Sequence, residues 1–265
     1  MKYTGRILFW VCFIAAFWAC GDDDSPGVDE PINTEDVENV GSIGEVTDEF
    51  TEVVNFSNEI IADIGDQGGR SQATCYVVIE SETENKITIT FEGECEGEDG
   101  RYRQGSLILS WEGELLGPDF SYTIAFDAFE VDDYQLDGSV TVEDLAIEQN
   151  TISFSVVVSN GRLTYPDQKE ITYGQDLTYN LIFGEVFSVT VEGSITGTNR
   201  DDKGYVADTR EPIKWIDNCD HPVSGSFSAS FDGRPALTID YGDGTCDNMA
   251  ILTRGTQSLE IDIED

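Results

Sequence analysis

The chain has 265 residues with 53 acidic and 14 basic side chains, and its formal net charge is −39. Nucleic-acid binding needs clustered lysine and arginine, so this composition excludes it as a function. One histidine, together with cysteines expected to be oxidised, leaves too few nitrogen and sulfur ligands for a zinc site.

The first residues predict export. Lys2 and Arg6 precede an apolar stretch, Ile7–Phe17, which is too short to span a bilayer, since about 20 apolar residues are needed. Ala19-Cys20 then closes the pattern of a lipoprotein cleavage site. We therefore predict a signal peptide over residues 1–19 and lipid attachment at Cys20. The alternative is an ordinary secretory signal, in which Cys20 has no special role.

The segment after Cys20 is acidic. Gly21-Asp22-Asp23-Asp24-Ser25 resembles the export tag of Bacteroidota-type lipoproteins that move to the outer face of the outer membrane. That resemblance implies a protein anchored in the outer membrane and facing the cell exterior, with retention on the periplasmic face as the alternative. Residues 20–45 contain few large apolar groups and predict a flexible acidic tether.

A helix is predicted over residues 46–64, at the start of a single β-rich domain that extends from 46 to 265. Apolar residues recur there at steps of three and four, which places them on one helical face. Asp48 and Glu49 suit the positive end of its dipole. The residues on that face are Val46, Phe50, Val53, Val54, Ile60, Ile61 and Ile64.

From residue 70 onward the apolar period is two, which predicts many short strands. Short connections favour antiparallel pairing, so the expected fold is all-β: a large meander forming a β-sandwich or a twisted sheet, with the helix packed on it. Asn160-Gly161 and Asp232-Gly233 predict hairpin turns. Gly-Ser steps at 105, 138, 193 and 225 place glycine on the apolar face, which indicates bulges or, in our hypothesis, a surface crossed by the helix.

Four cysteines of the predicted domain are expected to form disulfides in an oxidising compartment. Cys75 and Cys95 flank one predicted hairpin, and Cys219 and Cys246 flank another. Of the three formal pairings, these spacings favour Cys75–Cys95 and Cys219–Cys246.

The chain also resembles uncharacterised surface lipoproteins of the Bacteroidota with two cysteine-bearing hairpins. The resemblance rests on Asp99-Gly100-Arg101-Tyr102-Arg103-Gln104-Gly105, on Gly197-Thr198-Asn199-Arg200 and on the closing stretch Asp240–Asn248. It covers about residues 46 to 263. It implies an exported all-β module and transfers no catalytic role.

Two candidate sites follow from side-chain chemistry. Calcium takes six to eight oxygen ligands, and Asp240, Asp243, Asp247 and Asn248 offer oxygens around two glycines. Trp215 is a candidate platform for stacking on a ligand such as a sugar ring. For the calcium site, the alternative is a set of solvated acidic turns.

These features favour a noncatalytic binding or envelope-structural module that is held to the membrane by its lipid anchor. The alternatives are a carbohydrate-binding accessory of an outer-membrane nutrient uptake system and, less favoured, a glycan-acting hydrolase. A glycan or an envelope protein is the expected partner, and calcium is the one candidate cofactor.

Overall fold

The strands of this chain form one antiparallel sheet. A computed structural model describes residues 31–67, 75–81, 84–97, 99–114, 117 and 119–263. Within these residues thirteen strands pair in chain order from first to last, so this part of the chain is a simple meander in a single sheet with one helix. The predicted all-β meander is confirmed, in the form of a sheet and not of a sandwich. Cys20, the signal peptide and residues 21–30 of the predicted tether lie outside the described residues.

The helix and the strands have the following bounds: α1 Thr34–Gln67, β1 Tyr76–Glu80, β2 Lys86–Glu96, β3 Tyr102–Glu112, β4 Ser121–Val131, β5 Tyr134–Glu148, β6 Thr151–Thr164, β7 Glu170–Ile182, β8 Ser188–Thr198, β9 Gly204–Ile216, β10 Ser224–Phe231, β11 Leu237–Asp243, β12 Met249–Arg254 and β13 Gln257–Asp262.

Helix α1 begins earlier than its apolar pattern predicts, at Thr34 and not near Val46. Asn33 caps it: the Asp36 amide donates to Asn33 Oδ1 at 3.1 Å, and the Asn33 amide donates to Asp36 Oδ2 at 3.0 Å. This reciprocal pair satisfies two amides at the helix start. Residues 34–45 are therefore helical and not part of a flexible tether. Among the described residues, α1 lacks the apolar composition needed to cross a membrane.

The inner face of the sheet packs on α1 through apolar side chains. Phe50 lies at the centre, with its ring stacked on Tyr173 at 5.2 Å and edge-on to Phe126 at 5.9 Å. One buried cluster joins residues 46–60 of the helix to β2–β7, and a second joins Ile43 to β9–β12. At about 1.5 Å per residue the 34-residue helix is roughly 51 Å long, comparable to the width of the sheet at about 4.8 Å per strand.

Polar contacts fasten α1 to one end of the sheet, which we call the clamped end: the connections β2–β3, β4–β5, β6–β7, β8–β9 and β10–β11. Glu49 pairs with Arg101 at 2.8 Å, and Tyr165 donates to Glu45 at 2.9 Å. Nearer the helix start, Asn199 donates to Asn39 at 2.5 Å. The opposite end, formed by the connections β5–β6, β7–β8 and β9–β10, we call the open end.

Glycines of the Gly-Ser steps mark bulges. Residues 105, 138, 193 and 225 all have positive φ, and each coincides with a register shift in the sheet. An added Cβ would meet the backbone of the adjacent strand at all four, so strand geometry and not a helix crossing explains them. The glycine that the helix does approach is Gly161, where a Cβ would lie 3.1 Å from Phe50 Cζ.

The predicted turn at Asn160-Gly161 is wrong. Both residues lie inside β6, and Asn160 has φ of 53° beside a shift in the β5–β6 register. An Asn-Gly pair accepts positive φ in a bulge as readily as in a turn, so local chemistry does not separate the two. Asp232-Gly233 does form the β10–β11 turn.

Both predicted disulfides are confirmed. Cys75 bonds to Cys95 with a Cα–Cα distance of 5.3 Å, and Cys219 bonds to Cys246 at 5.8 Å. The first bond fastens the chain just before β1 to β2. The second joins the β9–β10 connection to the β11–β12 connection.

Candidate functional site

Trp215 lies on β9, half-buried, and pairs in register with Val189 of β8. The pairing continues strand by strand through Leu181 and Ile152 to Ile147. Partners in register point to the same face of a sheet, and Ile152 shares the inner face with buried Val156. The five side chains therefore form one apolar row across β5–β9 at the open end. We call this row the apolar strip: Ile147, Ile152, Leu181, Val189 and Trp215.

The apolar strip lacks the cover that the rest of the inner face has. Ile147 is 62% exposed, and the other four side chains are half-buried. The polar contacts of α1 at the clamped end hold much of the helix to that side of the sheet, which leaves this end of β5–β9 open. Exposed apolar side chains scattered singly need no explanation, whereas a contiguous apolar row is a candidate binding surface.

A second row extends the apolar surface toward the helix. Phe154, Tyr179, Val191 and Ile213 are cross-strand partners on β6–β9. The Phe154 and Tyr179 rings stack with centroids 5.5 Å apart and planes 3° from parallel. Beyond the strip, Phe183 and Val186 in the β7–β8 connection are 50% and 55% exposed. The apolar surface thus extends from the helix to the loops of the open end.

Helix α1 borders this surface with polar side chains. Tyr179 is hydrogen-bonded to Thr51, and Tyr173 donates to Thr47 Oγ1 at 2.9 Å. Asp48 lies between these two threonines in sequence, in the middle of α1. Its predicted place at the start of the helix, where it would meet the helix dipole, is therefore wrong.

The Asp48 carboxylate is unusual in its surroundings. Burial, followed by the charges of Glu49 and Glu52, raises the pKa of Asp48 to about 6, although the side chain stays open to solvent. After burial as the main cause, the charge of Asp48 also raises the pKa of Tyr179 and of Tyr241, so rings from β7 and β11 lie near it. A carboxylate with a perturbed pKa is often found in functional sites.

The structure does not assemble the predicted calcium ligands. Asp240 accepts the Gly242 amide at 2.9 Å, Asp243 accepts the Thr245 hydroxyl at 2.8 Å, and Asp247 accepts the Met249 amide at 3.2 Å. Asn248 donates to Asp262. Short Asp side chains commonly bond the backbone two residues ahead in turns. Within the described ranges, no three acidic, histidine or cysteine side chains are placed to hold a metal ion.

A concavity of about 380 Å³ lies near the first disulfide. Its lining is polar and includes Glu94, Tyr102, Glu130 and Asp132. Asp132 is engaged by Arg101 at 2.6 Å, and Glu130 accepts from Gln104. The polar side chains that line this depression already bond to one another or to neighbouring residues. The side chains of the apolar strip are instead apolar and exposed or half-buried.

Comparison with protein-family models, with curated proteins and with solved structures found no match to this chain. The site is therefore argued from its own residues. Of the predicted site residues, Trp215 lies in the strip, the four calcium candidates do not converge on one another, and Cys20 lies outside the described residues.

Proposed function

We propose that this protein is a lipid-anchored, noncatalytic binding module of the outer membrane that holds an apolar or amphipathic small molecule on the apolar strip. The observation that carries the proposal is the in-register row from Ile147 to Trp215, left uncovered on the inner face of the sheet. Burying such a row against a ligand gains about 25 cal/mol per Å² of apolar surface.

The proposed lipid anchor at Cys20 is argued from the predicted signal peptide. The proposed surface location is argued from the acidic run that follows Cys20. The resemblance to Bacteroidota surface lipoproteins stays part of the same proposal. Two disulfides support an oxidising compartment, because such bonds are rare in the cytosol. Metabolic labelling with a fatty acid tests the anchor: label should enter the wild-type chain and be lost in Cys20→Ser.

The carbohydrate-binding alternative predicts a different lining. Sugar sites combine an aromatic platform with several convergent polar groups, whereas Trp215 stands at the end of a row whose other members are aliphatic. A glycan array on the mature chain tests this alternative: retention of a glycan that is lost in Trp215→Ala would support the carbohydrate accessory and contradict an apolar ligand.

The strip itself is tested with a neutral apolar dye, 1,6-diphenylhexatriene, whose fluorescence rises in apolar surroundings. The mature chain should bind it saturably, and Ile147→Glu should weaken binding at least tenfold. Ile79→Glu is the matched control, because Ile79 is 59% exposed on β1 while Ile147 is 62% exposed on β5. Equal dye binding by the two variants would contradict the proposal.

A further inference from the structure

The sheet has an edge at β1, which pairs with β2 on one side and has no strand partner on the other among the described residues. The Glu92 amide donates to the Cys75 carbonyl at 3.0 Å, so Cys75 forms a hydrogen-bonded pair with β2. Because such pairs alternate along an antiparallel ladder, the N–H and C=O groups of Tyr76, Val78 and Glu80 point away from β2. These backbone groups have the geometry to pair with one more strand.

The first disulfide and the helix hold this edge strand in place. The Cys75–Cys95 bond fastens the residue just before β1 to β2, with a Cα–Cα distance of 5.3 Å. On the inner face, the Tyr76 ring lies edge-on to the Phe56 ring of α1, with centroids 5.8 Å apart. An edge strand that is ordered before association loses less conformational freedom when it pairs.

The outer face at this edge carries an uncharged row, in a chain whose net charge is −39. Val77 is 43% exposed and Ile79 is 59% exposed on β1. Ile79 pairs in register with Thr88 of β2, and the row continues through Ile108 of β3 to Ala125 of β4. Depletion of charge is the compositional mark of the core of a protein interface.

The opposite edge of the sheet, at β13, has acidic residues at the corresponding positions. The Ile263 amide donates to the Asn248 carbonyl at 2.8 Å, so the outward backbone groups of β13 belong to Ser258, Glu260 and Asp262. A second β13 paired along its full length would place Glu260 opposite its own copy. Like charges directly opposite each other in a sheet are destabilising, and charged edge residues prevent association between edges. Of the two edges, β1 is therefore the one suited to self-association.

We propose that two copies of this protein associate through β1 as a symmetric antiparallel pair, which joins their sheets edge to edge. In a register centred on Val78, the outward N–H and C=O groups of both strands find partners, and Tyr76 lies opposite Glu80 of the other copy. On the outer face, Val77 of one copy lies opposite Ile79 of the other, so that these exposed aliphatic side chains cover each other. The two-fold axis through Val78 closes the assembly at a dimer, because each edge meets its own copy.

This inference goes beyond the proposed function and does not depend on it. The apolar strip lies on β5–β9, whereas the dimer uses the edge at β1. Ile147→Glu should therefore weaken dye binding and leave the dimer unchanged. Failure of the dimer and failure of the apolar strip are thus measured separately.

Sedimentation equilibrium of the mature chain tests the dimer. The chain begins at residue 20 and carries Cys20→Ser, so that no acyl group is attached. We expect a monomer–dimer equilibrium that strengthens from about 0.15 M to about 1 M salt, because the Debye length falls from about 8 Å to about 3 Å and repulsion between two acidic chains is screened. A chain that stays monomeric at both salt concentrations would overturn the proposal.

Val78→Pro should weaken the dimer about tenfold or more, because proline removes an N–H that points outward and takes no bond from β2. Glu260→Pro is the matched control, since the Glu260 N–H also points away from the neighbouring strand, at the other edge of the sheet. This control should leave the dimer unchanged. Thermal unfolding of both variants checks that the fold is kept. Equal loss of the dimer in the two variants, or loss in the control alone, would contradict association through β1.

A pair of charged variants tests the register without proline. Val77→Lys and Ile79→Glu should each weaken the dimer about tenfold, because each places a charge opposite an aliphatic side chain. In an equimolar mixture, the lysine of one copy faces the glutamate of the other, and the remaining Val77–Ile79 contact is unchanged. Association of the mixture should therefore return to near the wild-type level. If the mixture associated no better than either variant alone, the antiparallel pairing of β1 would be wrong.

Discussion

Asp36 and Arg254 form a buried two-point ion pair that connects the start of α1 to β12. Arg254 Nη1 lies 2.9 Å from Asp36 Oδ2 and Nη2 lies 2.6 Å from Oδ1, and the two residues are 218 positions apart in sequence. Arg234 approaches the same carboxylate at 2.9 Å. Asp36 is 0% and Arg254 is 1% exposed, so the pair fastens the helix to the last strands away from water.

Removing one partner of this pair should destabilise the fold strongly. We expect Asp36→Asn to lower the free energy of unfolding by about 3 to 5 kcal/mol, because it leaves the Arg254 guanidinium buried without a counter-charge. Urea denaturation measures the loss. Glu35→Gln is the control, since Glu35 is an exposed member of the same helical turn and pairs with Lys203. If both variants unfolded at the same urea concentration, the buried pair would contribute no more to stability than the exposed pair that Glu35 forms with Lys203.

Glycine 193 should not tolerate a side chain. It has φ of 141°, and an added Cβ would lie against the carbonyl oxygen of Asp176 on β7. We expect Gly193→Ala to cost more than about 2 kcal/mol, because strain in the backbone adds to a steric clash. Gly44→Ala should instead stabilise the protein by about 0.5 to 1 kcal/mol, since Gly44 lies within α1 with open space around it. Opposite shifts in thermal midpoint are the expected result, and shifts of equal sign would contradict it.

Asp48→Asn should change the pH dependence of stability. The folded state raises the pKa of Asp48 from 3.8 to about 6, so it disfavours the ionised carboxylate. That cost is absent below about pH 4, grows as pH rises, and is complete above about pH 6. The variant should therefore be more stable than wild type at pH 7.5, by about 1 kcal/mol after allowance for solvent screening of an open group, and equal to it near pH 3.5. If the stability difference between Asp48→Asn and wild type were independent of pH, the raised pKa of Asp48 could not be its cause.

The Cys219–Cys246 bond should stabilise the open end. It closes a loop of 27 residues, and replacing both cysteines by serine should cost about 3 kcal/mol by loop-closure reasoning. Binding of diphenylhexatriene should weaken along with stability, because Trp215 lies four residues before Cys219 and its strand end would lose this constraint. Unchanged denaturation of the double variant in urea would show that the sheet alone holds this end.

Several features were within reach of sequence reasoning because they depend on near neighbours. Alternating apolar residues predicted the strands, and the positions of Cys219 and Cys246 on either side of a predicted hairpin predicted their bond. The true helix start also had a local signal that the prediction passed over. Val37, Val40 and Ile43 continue the three-residue spacing back from Val46, and Asn33 with Asp36 forms a capping pair.

Strand β9 was not predicted, and the reason is physical. Gly204–Ile216 contains a proline and charged residues and alternates poorly, so local preference does not favour a strand. Its pairing with β8 and β10 on either side decides its conformation.

The sequence by itself determined the strand-rich character, the antiparallel order and the two disulfides, because each depends on periodicity or on short loops. Only the tertiary structure decided that the sheet stays single, that α1 packs across its inner face, and that the row ending at Trp215 is left uncovered. Those relations join residues from 52 positions apart, as in Glu49 and Arg101, to 218 positions apart, as in Asp36 and Arg254. They depend on which side chains the helix covers once it is packed, and no local pattern carries that information.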